Sequence, residues 1–299
     1  MQRDNAIFLR AIREAAPFDL ARRAEHATRA HRPAALDRRL PKTLTATRYV
    51  TPLREGGSLP AIVEADDDGL YVMKFRGAGQ GRKALIAELI AGELARALAL
   101  PVPEIAFLEL DADMARTEPD PEIQHLIRAS AGLNLGLDYL PGSVNYDPLV
   151  DRPDEGLASR IVWFDAFVQN VDRTARNTNM LLWHRKPYLI DHGAAFYFHH
   201  DWSRAAAAAV SRFAPIKDHV LLPAAGALAE ADAELTAKLT PELIDATVRL
   251  VPAAWLEDEP GFDDAEAHRQ AYADHLTRRI AAPRGFVEQA GRARSGGGR

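Results

Sequence analysis

The stretch "NVDRTARNTNMLLWHRKPYLIDHGAAF", Asn170 to Phe196, decides how this chain is read. It carries two aspartates, Asp172 and Asp191, and three asparagines, Asn170, Asn177 and Asn179. Two short apolar runs, "NMLLW" and "PYLI", lie between the aspartates with "HRK" joining them, the pattern of a β-hairpin. A hairpin returns the chain to where it started, so Asp191 comes back toward Asn177. Asp172, Asn177 and Asp191 are oxygen donors of the kind Mg²⁺ takes when it shares its shell with substrate phosphates. Asn179 competes with Asn177 as a ligand, and the D-x-x-x-x-N spacing favours Asn177.

Upstream lies a β-type region. "TRYVTPL", "AIVEAD" and "LYVMKF" are short strands separated by "REGGS" and by the acidic turn "DDDG", Asp66 to Gly69. "KALIAELIAGELARALAL" then has leucines at helical spacing and stops at Pro101. "PEIAFLEL" and "NLGLDYL" read as two further strands, and "PGS" at Pro141 breaks the chain. "EGLASRIVWFDAFVQN" is a helix, and Ala-rich helices follow from about Ser203 to Ala282. Lys74 ends an apolar strand and Glu88 sits on the next helix. That pairing orients a lysine toward nucleotide phosphates in kinase-like enzymes. Glu93, on the same helix, is the alternative partner. The backbone of Gly56, Gly57 and Ser58 in the turn before Lys74 has the N–H groups to cover phosphates.

The order is now Gly-rich turn, strand lysine, helix glutamate, hinge strand, helix, D-x-x-x-x-N, hairpin, Asp-x-Gly. In this order the chain resembles the protein-kinase-like superfamily. "NVDRTARNTNMLLWHRKPYLIDHG" and "ALIAELIAGELARALALPVPE" are most similar to the HipA-like serine/threonine kinases, with the phosphatidylinositol kinases as more distant cousins. The resemblance spans roughly Pro52 to Trp202. It implies an α+β, two-lobed, protein-kinase-like fold, with a β-rich, antiparallel N-lobe holding one helix and a mainly helical C-lobe. It also implies ATP and Mg²⁺ as cofactors. Lys74 would hold the α/β-phosphates, Glu88 would orient Lys74, and Asp172 would be the catalytic aspartate. Asn177 and Asp191 would hold the metal, and adenine would lie near the hinge residues Asp138, Tyr139 and Leu140. The expected reaction is phosphorylation of a Ser or Thr hydroxyl on a protein. A silent nucleotide-binding pseudokinase and a small-molecule or lipid kinase are the alternatives. The departures are Val171 where an H-R-D motif has arginine, and DHG in place of DFG.

The expected organisation is a basic extension over 1–48, helical or partly disordered, an N-lobe and hinge over 49–142, a C-lobe over 143–290 and a disordered tail over 291–299. Arg173 and Arg176 flank the loop and admit two readings, contact with phosphate or an acidic substrate, and ion pairing with a carboxylate of the helical half. His184, His192, His199 and His200 raise a metal-dependent hydrolase as an alternative, but lack H-E-x-x-H or H-x-x-E-H spacing. His192 is expected beside the metal aspartate, and His199 and His200 at the mouth of the cleft.

Bulk properties narrow the classes. The 299 residues have a net charge of −5, so direct nucleic-acid binding is not expected. There is no cysteine, which excludes disulfides and thiolate chemistry and suits a reducing cytoplasm. No window is apolar for long enough to span a membrane, and the first twenty residues lack a signal peptide's apolar core. A cytoplasmic setting is expected, with ATP and a protein substrate as partners. HipA-like proteins include toxins with a DNA-binding antitoxin, so the resemblance also raises an antitoxin-like or regulatory protein partner, to which no residue here points.

Overall fold

The computed structural model describes residues 40–53, 59–79, 81–281 and 283–296. The turn residues Gly56, Gly57 and Ser58, and most of the 1–48 extension, lie outside the described residues. The chain divides into two compact units. One comprises residues up to Gly79 with Ala106–Tyr139, and the other Gln80–Ile105 with residues from Leu140 onward.

The first unit is a closed barrel of five strands: β1 (Lys42–Pro52), β2 (Ala61–Ala65), β3 (Leu70–Lys74), β4 (Ile105–Leu110) and β5 (Gly132–Asp138). Their order around the barrel is β1-β2-β3-β5-β4. The β2–β3 turn is the expected acidic one. Asp68 takes a left-handed φ of 60°, and Asp67 Oδ1 accepts from Gly69 N at 3.1 Å, an Asx-type turn. β3 pairs antiparallel with β5, Lys74 opposite Leu135. At Gly136 on β5, an added Cβ would meet Leu108 Cδ1 at 2.5 Å, so the bare backbone lets β4 and β5 close on each other. Inside the barrel lie Leu44, Ala46, Val63, Met73 and Leu108.

Three features of this unit differ from the sequence expectation. The barrel closes through a parallel pair, β1 with β4 (Lys42↔Ala106 to Thr45↔Glu109), so the sheet is mixed rather than antiparallel. That pairing also carries β1 back to Lys42, into the segment expected as an extension. Leu44 and Ala46 alternate inward there between exposed threonines, and the partner strand lies over sixty residues away, beyond the reach of local pattern. The helix expected in the N-lobe, α1 (Arg82–Ala97), belongs to the second unit. The first unit's helix is α2 (Pro121–Ala129), capped by the Asp120 side chain, which accepts from Glu122 N at 2.9 Å. Its Ile123, Leu126 and Ile127 join the barrel core, an apolar stripe of only three residues and so a faint signal.

The second unit is built on α1 and α3 (Glu155–Val168). Along α1 every residue from Leu85 to Ala95 is buried, Glu88 and Glu93 included. Along α3 burial is continuous from Ile161 to Val168, and Asp154 caps the start by accepting from Leu157 N at 2.8 Å. A small sheet follows the order β6 (Val144–Asn145), β7 (Met180–Trp183), β8 (Lys186–Leu189), with Leu189 N donating to Pro101 O after α1 at 2.7 Å.

The Ala-rich region is helical, as expected, but interrupted. Pro215, Pro223, Pro241 and Pro252 divide it into 3₁₀ turns and α4 (Ala205–Ala209), α5 (Leu228–Lys238), α6 (Pro241–Val248), α7 (Ala253–Leu256) and α8 (Ala265–Ile280). Of the tail expected to be disordered over 291–299, residues 291–296 belong to α9 (Gly285–Gly296), where Arg292 pairs with Glu288 one turn back at 3.6 Å, and residues 297–299 lie outside the described residues. Helices α5, α8 and α9 pack on α3. Trp163 Nε1 donates to Asp232 Oδ1 at 2.8 Å, and Arg284 grips the same carboxylate with two nitrogens at 2.7 and 2.8 Å. No described helix is long and apolar enough to cross a membrane.

Candidate active site

Helix α3 ends at Gln169, whose left-handed φ of 57° turns the chain into the loop Asn170–Asn179. This loop is built on its own side chains. Asn170 Oδ1 accepts from Asp172 N at 3.1 Å, and Thr174 N donates to the carbonyls of Asp172 and Asn177 at 3.1 and 2.9 Å. Thr174 Oγ1 in turn accepts from Asn177 N at 3.3 Å. Short polar side chains that bond their own backbone are what hold such a loop without regular structure.

The Asp172 carboxylate is the hub. Its Oδ2 accepts from Asn177 Nδ2 at 2.8 Å and from Asn179 Nδ2 at 3.2 Å. Each amide spends its N–H on the aspartate, which leaves the amide oxygen of Asn177 as a donor to a cation. Asp172 is half-buried and Asn177 exposed, so both reach solvent from an otherwise buried frame.

The expected hairpin is present, turning at His184 and Arg185, both with φ above zero (48° and 62°), as a type I′ turn requires. At its open end Ile190 N donates to Asn179 O at 3.0 Å. The hairpin therefore brings Asn177 and Asp191 to the same end. Asp191 follows with φ 58°, a left-handed conformation that aspartate tolerates better than most residues. After it, His192 is fully buried, with Nδ1 3.6 Å from Glu88 Oε1 and its ring edge-on to Phe164. Gly193 runs beside Ala84 in the first turn of α1.

Lys74 stands at the end of β3 in the first unit, and Glu88 on α1 in the second. Glu93 is engaged by Arg96, whose Nη1 donates to its Oε1 at 2.6 Å. In the hinge strand Asp138 pairs with Tyr71, Tyr139 N donates to Leu70 O at 2.9 Å, and Leu140 is buried. Burial raises the Tyr139 hydroxyl pKa above its ordinary value.

Of the two readings of Arg173, the ion pair is the observed one. Its side chain is fully buried and Nε donates to Asp165 Oδ2 at 2.6 Å. Arg176 is exposed. His199 does not sit at a cleft mouth. It is buried, with Nδ1 3.0 Å from the Tyr272 hydroxyl, because it belongs to an aromatic cluster with Phe198 and Tyr272. His200 and His184 are exposed, and no group of three or more His, Cys, Asp or Glu side chains is arranged to hold a metal among the described residues.

Asp165 and His219 escaped the sequence reading. Asp165 accepts from Arg173, from His219 Nε2 at 2.9 Å and from Asn170 Nδ2 at 3.1 Å. Burial alone would raise its pKa. The Arg173 guanidinium and the His219 bond outweigh that and hold the carboxyl well below the usual range. A lone aspartate inside "IVWFDAFV" is a legible sign of a buried, paired charge, whereas nothing around His219 marks it.

The model of the HipA-like kinase family matches residues 47–284. The chain belongs to the HipA-like kinase family. It is therefore a phosphotransferase with an α+β, kinase-like fold. Among solved structures, this HipA-like kinase resembles a Helicobacter pylori proinflammatory kinase, CtkA, at 12% identity and a TM-score of 0.50, covering 84% of this chain and 97% of that one. The Golgi casein kinase with Mn/ADP bound follows at 14% identity and a TM-score of 0.41, with 83% and 73% covered. None of the curated proteins compared matches the chain.

Proposed function

We propose that this HipA-like kinase transfers the γ-phosphoryl group of ATP to a Ser or Thr hydroxyl of a protein, with Mg²⁺ as the metal. The observation that carries the reading is the Asp172 carboxylate held by Asn177 and Asn179, with Asp191 returned to the same hairpin end. In the transfer the acceptor oxygen bonds to the γ-phosphorus, the bond from that phosphorus to the β–γ bridging oxygen breaks, and ADP leaves with the electron pair. Asp172 orients the acceptor hydroxyl and is placed to take its proton. Its clamping by two amides fixes the carboxylate before substrate arrives, which is the positioning that phosphoryl transfer depends on.

The donor set fits a hard cation. Asp191 and Asn177 offer carboxylate and amide oxygens, the ligand types Mg²⁺ takes beside phosphates and water. Mg²⁺ bound there would neutralise charge on the phosphates. Lys74 would hold the α/β-phosphates with Glu88 orienting it, and the engagement of Glu93 by Arg96 supports Glu88 over Glu93. Asp138, Tyr139 and Leu140 would line the adenine site. We read the first unit as the N-lobe and the second as the C-lobe. The cysteine-free sequence supports a cytoplasmic setting.

Calorimetry of ATP binding with and without Mg²⁺, on the parent and on Asp191→Ala, tests the reading. Mg²⁺-dependent binding that the substitution removes is expected, together with phosphate incorporation into a Ser/Thr substrate. Binding without turnover on any acceptor would point to a pseudokinase, and no binding at all would overturn the reading.

A further inference from the structure

Arg173 follows Asp172 in sequence, yet it is only 1% exposed. While Nε serves Asp165 on α3, Nη1 donates to the carbonyl of Asn179 and, at 3.3 Å, to that of Ile190. Asn179 lies two residues after Asn177, and Ile190 immediately precedes Asp191. One guanidinium thus ties the helix before the loop to both sides of the hairpin's open end. A lysine could not replace it, because a single ammonium nitrogen cannot reach a carboxylate on one side and two carbonyls on another.

The anchor is itself fixed. Leu221 N donates to His219 Nδ1 at 3.0 Å, so that nitrogen accepts and Nε2 carries the hydrogen that Asp165 receives. Backbone bonds join the same parts, with Val220 N donating to Arg173 O at 3.0 Å and Thr174 bridged to His219. Asp165, Arg173, Asn170 and His219 are all buried, whereas Asp172, Asn177 and Asp191 are not.

We propose that Asp165, Arg173 and His219 form a positioning network that sets the spacing of Asn177 and Asp191 and thereby the site's affinity for its divalent cation. This inference rests on the phosphotransfer reading above. The three residues touch no substrate. They act through the Asn179 and Ile190 carbonyls, as outer partners hold metal ligands elsewhere, where their loss costs on the order of tenfold or more in metal affinity.

The test is calorimetric titration of ATP at graded Mg²⁺ on the full chain. It compares the parent with Arg173→Lys and with the double variant Arg173→Met/Asp165→Leu, in which no charge is left buried without its partner. The expected result is a half-saturating Mg²⁺ concentration raised about tenfold in both variants. ATP affinity at saturating Mg²⁺ should stay within about twofold of the parent. A merely structural role would lower the thermal midpoint without moving the Mg²⁺ requirement. If the double variant does not fold, Arg173→Lys carries the test alone, since it keeps the Asp165 pair and loses the grip on the carbonyls. A folded Arg173→Lys with parental Mg²⁺ dependence overturns the network while leaving the kinase reading intact. A parent whose ATP binding ignores Mg²⁺ overturns both.

Discussion

His192 Nδ1 lies 3.6 Å from Glu88 Oε1, and both side chains are fully buried. The histidine of DHG therefore sits between the glutamate of α1 and Phe164 of α3, one residue beyond Asp191. A ring there holds the Asp191 loop against α1. His192→Ala should empty that space and cost about 2–4 kcal/mol, as large-to-small core changes do. His192→Phe, close in volume and able to meet Phe164 edge-on, should cost less than about 1.5 kcal/mol. Urea unfolding of both variants decides this, and equal losses would show that the ring's volume is not what matters.

Glu88 and Glu93 share one buried helix and differ in what they touch. Glu93 is spent on Arg96 at 2.6 Å, whereas Glu88 faces His192. Glu93→Gln should lower stability by about 1–2 kcal/mol through the lost charge on a short bond, with the KM for ATP unchanged. Glu88→Gln should lower kcat/KM for ATP about tenfold or more, a loss of about 1.4 kcal/mol in transition-state binding. Steady-state kinetics on the two variants separates them, and the reverse pattern would assign the lysine's partner to Glu93.

Asp172 is half-buried and held by two amides rather than by a cation. Asp172→Ala should cut phosphotransfer by about 10²–10⁴, the usual worth of a positioned proton acceptor, and leave ATP binding in place. The thermal midpoint should move by only a few degrees, since little core is lost. A variant as active as the parent would remove Asp172 from the chemistry.

Much of this architecture is local and was legible. The hairpin announces itself in "NMLLW-HRK-PYLI", and α3 in the apolar run of "EGLASRIVWFDAFVQN". The Asx-turn loop is likewise local, because Asn170, Thr174 and Asn177 bond their own backbone. What escaped was non-local. β1 reaches back to Lys42 only because β4 pairs with it in parallel, and α2 carries only three apolar anchors. His219 meets Asp165 across 54 residues, and the side chain of Arg173 turns inward although its neighbours face solvent. No short window of sequence holds both partners of the β1–β4 pairing or of the Asp165–His219 bond, whereas Arg173 lies only eight residues from Asp165 and escaped because both sit among residues with no sign of the pairing.

Acid should weaken the second unit through its histidines. Burial holds His275 down to about 3, with its ring stacked on Phe198 at 3.5 Å, and keeps His199 well below its ordinary value. The unfolded chain takes up protons near pH 6.5 and the folded one does not, so their stability is fully present above 6.5 and declines as pH falls toward 3. Between pH 6.5 and 5 the loss from His275 should reach about 2 kcal/mol. Thermal midpoints at pH 7, 6 and 5 should fall accordingly, and His275→Gln should flatten the slope. An unchanged slope would show that other groups set it.

Arg279 holds the end of α3 from outside. Its guanidinium donates to the carbonyls of Ala166 at 2.7 Å and Phe167 at 2.6 Å, in the last turn of α3, and to those of Ala208, Ala209 and Ser211. Its plane also lies over Phe286, 4.8 Å from the ring centre. Terminal carbonyls of a helix have no partner within it, and a cation there also meets the negative end of the helix dipole. Arg279→Met would leave these carbonyls buried without a donor, at a cost of about 3–5 kcal/mol. Arg279→Lys should recover less than half, because three donors on one nitrogen cannot span two segments. Since α3 runs straight into the Asn170–Asn179 loop, amide hydrogen exchange over Gln169–Asn179 should quicken in both variants. A lysine variant as stable and as protected as the parent would show that charge alone, and not the reach of the guanidinium, secures the helix behind the Asn170–Asn179 loop.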